Sequence, residues 1–370
     1  MRNDDEAGPR GRSAARVLAR TTVAAMLLAG CGTSGPGVSP VGLATSPAGV
    51  ASPSAVASGP PSARPTEDAS VSDGEPWIVF QAAAGSGDGI FLVQPDGTGR
   101  HRFAIGTGSQ IHPDWSPDGR QIAYATITPA DRTELWVVNA DDTDARRLFS
   151  CDLPCNQVSY PDWAPDGRSI YFAVDADAPP DAPPTIFRFA RYDLATGKTT
   201  IVLERKGSVS AEQPRISPDG TRVVYSRFRE GGPDGAGSAI FVADLKGGPE
   251  HRLTEWEKFS AHPDWSVKDL IVFNTFDLGV FQDTTAAANL YTIAVNGTDL
   301  TQLTTFGVAG TRATQPRWTP DGTRIVFTRV DGEGFGTRRL AVINPDGSGL
   351  GSLTPSPITG THWQLRPLPG

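Results

Sequence analysis

Cysteine, methionine, histidine and charge are all scarce in this chain. Three Cys in 370 residues exclude a small fold stapled by a disulfide framework. Only 20% of residues are charged, which does not fit the Glu/Lys/Arg-rich composition of a coiled coil. The 33 Lys and Arg are outnumbered by 41 Asp and Glu, giving a net charge of −8, so no basic face for nucleic acid is expected. Long hydrophobic runs are missing too. The apolar run from Thr21 to Ala29 is too short to cross a hydrocarbon core of ~30 Å. There is no Gly-x-Ser-x-Gly elbow and no Gly-rich phosphate loop with Lys. None of the five His lies beside a candidate Ser or Cys nucleophile. Catalysis has no motif to support it.

Glycine and proline are abundant instead. The 41 Gly and 32 Pro make up about a fifth of the chain, against an average of about 12%. There is no Gly-X-Y period, so a collagen helix is excluded. The 8 Trp and 16 Phe need burial, which argues against disorder throughout. Gly and Pro are the poorest helix formers, so a helical bundle is disfavoured. The expectation is an all-β, turn-rich fold with a segment that does not fold.

The N-terminal residues read as an address. Arg10, Arg12, Arg16 and Arg20 precede the apolar run, which ends Leu28-Ala29-Gly30-Cys31. This resembles the bacterial lipobox, in which small residues precede a cysteine that is lipidated before cleavage. The resemblance implies a signal peptide over 1–30 and acyl chains on Cys31, with the membrane as a partner through that anchor. A plain secretory signal is the alternative. Two acyl chains hold a protein on a bilayer where one does not. Residues 32–75 are dominated by Gly, Pro, Ser, Ala and Thr and contain no aromatic residue, so a flexible tether is expected. The remaining domain, 76–370, carries the fold.

From Trp77 onward the chain repeats. His112-Pro-Asp-Trp-Ser-Pro-Asp-Gly119 returns as Tyr160-Pro-Asp-Trp-Ala-Pro-Asp-Gly167, Gln213-Pro-Arg-Ile-Ser-Pro-Asp-Gly220 and Gln315-Pro-Arg-Trp-Thr-Pro-Asp-Gly322, with a shorter copy at His262-Pro-Asp-Trp-Ser266. The spacing is about 50 residues, and each copy is followed by an alternating strand such as Ile122/Tyr124. Each unit reads as four short strands, with Pro-Asp-Gly as the first tight turn. That pattern is a β-propeller. Trp77–Phe80 and Ile90–Val93 lack a first strand before them. Thr361-His362-Trp363 lacks the strands that should follow. The C-terminal strand is therefore expected to complete the N-terminal blade, closing six four-stranded blades.

The Pro-x-Trp-Ser-Pro-Asp-Gly motif resembles the WD40-like (PD40) repeat of TolB-type propellers. The resemblance spans 76–366 and implies the fold more strongly than any function, because the motif residues are structural. A lipid-anchored tether is expected here in the place where TolB carries an α/β domain.

Several candidate sites follow. The residue three before each motif Trp or Ile gives a ring of His112, Tyr160, Gln213, His262 and Gln315, expected on the innermost strands. Such a ring packs the blades or binds a polar ligand or divalent cation, as some TolB-like polysaccharide lyases hold a metal on channel His and Gln. No cofactor is assigned beyond that cation. Asp114, Asp162 and Asp264, with Arg215 and Arg317 at the equivalent places, are expected to form ion pairs between blades. Trp115, Trp163, Trp265, Trp318 and Trp363 are expected in the core. Cys151 and Cys155 suit a local disulfide, with a two-thiolate metal site or free thiols as alternatives. Phe276, Leu278, Val280 and Phe281 crowd one long loop on the face opposite the Pro-Asp-Gly turns, a candidate partner surface. The expected role is non-catalytic binding of an envelope protein or glycan by a monomer at the outer face of the cell membrane. The alternatives are a metal-assisted polysaccharide lyase or hydrolase, or the sensor module of a membrane partner.

Overall fold

The structure is a computed structural model that describes residues 75–84, 87–103, 108–130, 132–151, 155–176, 186–206, 209–229, 236–276, 287–307, 310–332, 336–354 and 360–367. These residues form an all-β propeller of four-stranded repeats. The first sheet holds β1 (Ile78–Ala84), β2 (Gly87–Val93) and β3 (His101–Arg102). The second holds β4 (Ser109–Trp115), β5 (Gln121–Ile127), β6 (Thr133–Asn139) and β7 (Arg146–Ser150). The third holds β8 (Cys155–Trp163), β9 (Ser169–Ala176), β10 (Ile186–Asp193) and β11 (Lys198–Lys206). The fourth holds β12 (Val209–Ile216), β13 (Arg222–Arg229), β14 (Gly237–Asp244) and β15 (His251–Arg252). Then come β16 (Ala261–Trp265), β17 (Leu270–Phe276), β18 (Ala288–Ala294) and β19 (Thr301–Gln302), followed by β20 (Arg312–Trp318), β21 (Ile325–Asp331), β22 (Thr337–Ile343) and β23 (Gly351–Ser352). The last strand, β24 (Gly360–Leu365), pairs antiparallel with β1 in the first sheet.

The expectation of six separate four-stranded sheets needs correction. Four sheets have four strands, and β16 to β23 make one sheet of eight. The cause is a single parallel bridge from Ala288 of β18 to Arg312 of β20, which fuses two antiparallel sets.

The alternating pattern places each sheet between two neighbours. Along β9, Ile170, Phe172 and Val174 join Ala123, Leu135 and Val137 of the second sheet. The intervening Tyr171 and Ala173 join Val223, Tyr225 and Phe241 of the fourth. A strand with period two and both faces covered buries nearly every residue. Burying one such side chain contributes roughly 1.5–3 kcal/mol.

Each innermost strand breaks register at the same place. The shifts fall between Ile111 and Asp114, Ser159 and Asp162, Glu212 and Arg215, Ala261 and Asp264, and Thr314 and Arg317. The skipped pair is each time the ring residue and its Pro. Proline has no N–H for a ladder bond, so it sits at a bulge.

β24 has the same irregularity, but its register corrects the sequence alignment. The shift skips His362 and Trp363, and Gln364 lies opposite Val79. His362, not Trp363, is therefore the key to the repeat, and Leu365 takes the place of Trp115. Trp363 is nonetheless buried, among Ile78, Phe80, Val326 and Val342, and its Nε1–H donates to Thr328 Oγ1 at 3.1 Å. It joins β24 to the sheet of β21. Beyond it, Arg366 donates to Gly119 O at 2.8 Å and lies over the Trp115 ring. Gly119 takes φ +66, and a Cβ there would stand 2.5 Å from Pro367 O, so this turn requires glycine.

Trp363→Ala removes the largest side chain of that seam. Urea denaturation should show a loss of about 3–5 kcal/mol. A loss below ~1 kcal/mol would mean that the seam does not hold the fold together.

Candidate functional site

The bulges gather the ring residues by their backbone. His112, Tyr160, Gln213, His262, Gln315 and His362 all have φ between 48 and 58. Non-glycine residues in this left-handed region cost of order 1–3 kcal/mol each unless the surroundings fix them. Here the neighbouring strands do so. His112 N–H donates to Gln81 Oε1 at 3.1 Å, Tyr160 N–H to His112 Nδ1 at 3.3 Å, and His262 N–H to Gln213 Oε1 at 2.8 Å. Gln315 N–H donates to Asn274 Oδ1 at 3.4 Å and His362 N–H to Gln315 Oε1 at 3.3 Å. The expected ring is thus present and gains a sixth member, His362, which the alignment on Trp363 concealed. The usable signal was the histidine itself, one residue before that Trp.

One layer further along the strands lie the charges. Arg215 Nη1 donates to Asp114 Oδ1 at 2.7 Å and to Asp162 Oδ1 at 2.6 Å, and its Nε is 3.8 Å from Asp264 Oδ1. Arg317 Nη1 donates to Asp264 Oδ1 at 3.3 Å. The second oxygen of each acid accepts a backbone N–H from the next repeat: Trp163 to Asp114 at 3.0 Å, Ile216 to Asp162 at 2.6 Å and Trp318 to Asp264 at 2.7 Å. Gln364 Oε1 accepts Trp115 N–H in the same manner. The expected ion pairs between repeats are present, and Arg215 touches acids from three of them.

Burial dominates the titration here. It pushes Asp114 above the ordinary carboxylate range, and Asp162 and Asp264 up to about 7, against the attraction of Arg215. Burial lowers His112 to about 3 and His262 to about 4. His362 is lowered by burial and by the charges of His112, His262, Arg215 and Arg338. The imidazoles are neutral at pH 7.

A narrow pocket opens in this channel; the volume open to a water-sized sphere is about 10 Å³, and the 260 Å³ of empty space around it includes open solvent. His112, Tyr160, Gln213 and His362 line it together with Arg215 and Arg317. His262 and Gln315 are not in its lining, although both hydrogen-bond within the ring. Among the described residues no group of three or more His, Cys, Asp or Glu is placed to hold a metal ion.

Other sequence candidates fall elsewhere. Cys151 is buried and disulfide-bonded, and the side chain of Cys155 lies outside the described residues. Phe276 ends β17, half-buried, while Leu278, Val280 and Phe281 lie outside the described residues. The same is true of Leu28, Ala29, Gly30 and Cys31. The exposed large apolar side chains among the described residues include Val267, Leu300 and Leu350, which the sequence did not single out. They stand at the tight turns. No described helix is long and apolar enough to cross a membrane.

Known structures share this fold. TolB from Acinetobacter baumannii superposes with a TM-score of 0.59 at 19% identity, over 79% of this chain and 66% of that one. The fold is that of a TolB-like propeller. An oligogalacturonate lyase in complex with manganese superposes with a TM-score of 0.54 at 16% identity, over 75% of this chain and 73% of that one. In sequence, 49 residues are 45% identical to Tricorn protease homolog 1 of Streptomyces coelicolor, covering 13% of this chain and 4% of that protein. The chain thus spans a small part of that curated relative and just under two thirds of the Acinetobacter structure. No protein-family profile matches it.

Arg215→Ala leaves buried acids without their shared cation, at a cost of about 3–5 kcal/mol. The pH dependence has a definite sign. Asp162 and Asp264, raised from 3.8 to about 7, favour the fold below pH 4 and lose that contribution as pH rises through 7. His112 and His262, lowered from 6.5, favour the fold above 6.5 and lose that contribution as pH falls towards 4. The two trends oppose each other in the native protein. In Arg215→Ala the acid trend grows, so the deficit against the native protein should be largest above pH 7 and shrink towards pH 4. Denaturation across that range checks it, and a deficit independent of pH would contradict the account.

Proposed function

We propose that this chain is a lipid-anchored envelope protein whose propeller binds a protein or glycan partner without catalysing a reaction. In this reading residues 1–30 direct export, Cys31 carries the acyl chains, and 31–75 hold the propeller of 76–370 away from the membrane. The propeller has six blades. The eight-stranded sheet supplies two of them, and β24 closes the first onto the last.

The division between the two sets of connections carries this reading. The tight turns satisfy themselves: Gly119 N–H donates to Ser116 O at 2.8 Å, Gly167 to Ala164 at 2.9 Å, Gly220 to Ser217 at 2.8 Å and Gly322 to Thr319 at 2.7 Å. The connections that are long in sequence, between Ala176 and Ile186, Arg229 and Gly237, and Phe276 and Ala288, start from the opposite strand ends. Variable loops on a rigid scaffold are where binding concentrates. The lyase alternative, with a divalent cation in the channel, is supported by fold likeness to the manganese-bound lyase alone.

Two measurements test the proposal. Cys31→Ser should shift the protein from the membrane to the soluble fraction and abolish palmitate labelling; retention on the membrane would remove the anchor. A photo-crosslinker at Phe276 should capture a partner in the native envelope. Capture at Val267 or Leu300 with none at Phe276 would move the binding face to the tight turns.

A further inference from the structure

The ring residues that lock the repeats together do so with their acceptors, which leaves their donors uncommitted. Gln213 Oε1 accepts His262 N–H at 2.8 Å and the Ser226 hydroxyl at 3.3 Å, and its buried Nε2 has no partner. Asn274 Oδ1 accepts the His262 Nδ1–H at 2.9 Å and Gln315 N–H at 3.4 Å, and its Nδ2 has none. His112 accepts Tyr160 N–H on Nδ1, which places its proton on Nε2. His362 Nε2 is also buried without a partner, and it is a donor in the tautomer whose Nδ1 accepts the Thr361 hydroxyl at 3.2 Å. A buried donor left unmatched costs ~1–3 kcal/mol, so this accumulation points to an absent acceptor.

The pocket that meets Gln213 and the His112 and His362 rings, though not Asn274, has two guanidiniums in its wall. His112, Gln213 and His362 line it with Arg215 and Arg317. The acids that pair with those arginines are not in its lining, and both oxygens of each are already accepting. His262 retains a lone pair on Nε2, but it is outside the lining. The two guanidiniums face the pocket while the three acids paired with them lie outside its lining, so an acceptor entering here meets donors. The opening is narrow: the His112 ring lies 3.9 Å from Tyr160 and 4.5 Å from His362, centroid to centroid. The three rings are in contact and close that side of the opening, so the pocket takes the tip of a small group and not a whole sugar ring.

We propose that the channel pocket binds the carboxylate tip of an acidic ligand, held by Gln213 Nε2–H, the His112 and His362 imidazoles and the Arg215 and Arg317 guanidiniums. The carboxylate belongs to a uronate sugar or to a peptide C-terminus. Its lining includes no residue of the loop that begins at Phe276.

The full chain would be titrated calorimetrically with D-glucuronate and with N-acetyl-alanyl-alanine, each beside its uncharged partner, the methyl ester or the amide, and with Mn²⁺ alone. Binding of at least one acid, with its neutral partner binding about tenfold more weakly or worse, supports the proposal. Which acid binds identifies the source. Gln213→Glu keeps the locking oxygen and replaces the donor with a negative oxygen, so it should weaken the acid about tenfold or more with little change in melting. His362→Phe keeps the ring and removes its nitrogen donors, and serves if Gln213→Glu fails to fold. Equal binding of acid and neutral partner, no binding of either acid, binding of Mn²⁺ alone, or unchanged acid affinity in the folded variants would each overturn the proposal.

Discussion

Arg215 is the interaction on which the centre of this propeller depends. It and Asp114 stand 101 positions apart, yet Nη1 meets that carboxylate and that of Asp162 in one buried layer. Removing charges from water is expensive, and close pairing with further hydrogen bonds offsets it. Each acid has those further bonds, because its second oxygen takes a backbone N–H of the next repeat. The same carboxylate thus answers the arginine and orients a neighbouring strand. The strands converge closely here because both demands must be met at once.

The bulge performs a second task with equally few atoms. A left-handed residue followed by Pro interrupts the ladder of five innermost strands, and in four of them the freed N–H of that residue reaches the adjacent repeat. In β24, Trp363 stands in place of the Pro and the left-handed residue is still present at His362. The constraint is therefore the turn of the backbone, with proline one way to meet it. Locking by acceptors has a chemical consequence: amides and imidazoles that give up an oxygen or a lone pair retain N–H groups. The channel acquires its polarity from the way the ring is held.

Much of the fold was legible. Pro-Asp-Gly at regular spacing, followed by Ile122/Tyr124 or Ile325/Phe327, reports turn and strand through local propensity alone. The ring of His112, Tyr160, Gln213, His262 and Gln315 was legible because the repeat aligns them. His362 was not, since the eye aligns Trp363 with Trp115 while the backbone aligns His362 with His112. The fusion of two repeats through Ala288 and Arg312 left no sequence signal, because a lone bridge requires only that two strand ends approach.

The sequence by itself determined the strands, the turns and the identity of the residues that recur, because each follows from short-range preferences of proline, glycine and alternating apolar side chains. It also marked Asp114, Asp162 and Asp264 against Arg215 and Arg317 as opposite charges at one repeat position. Only the tertiary structure decided that Arg215 meets three acids, that Gln213 retains an unmatched donor and His362 an unmatched ring nitrogen, and that these line one pocket. Those facts depend on which atoms from distant repeats converge on the channel, and convergence is a property of packed geometry that no local preference encodes.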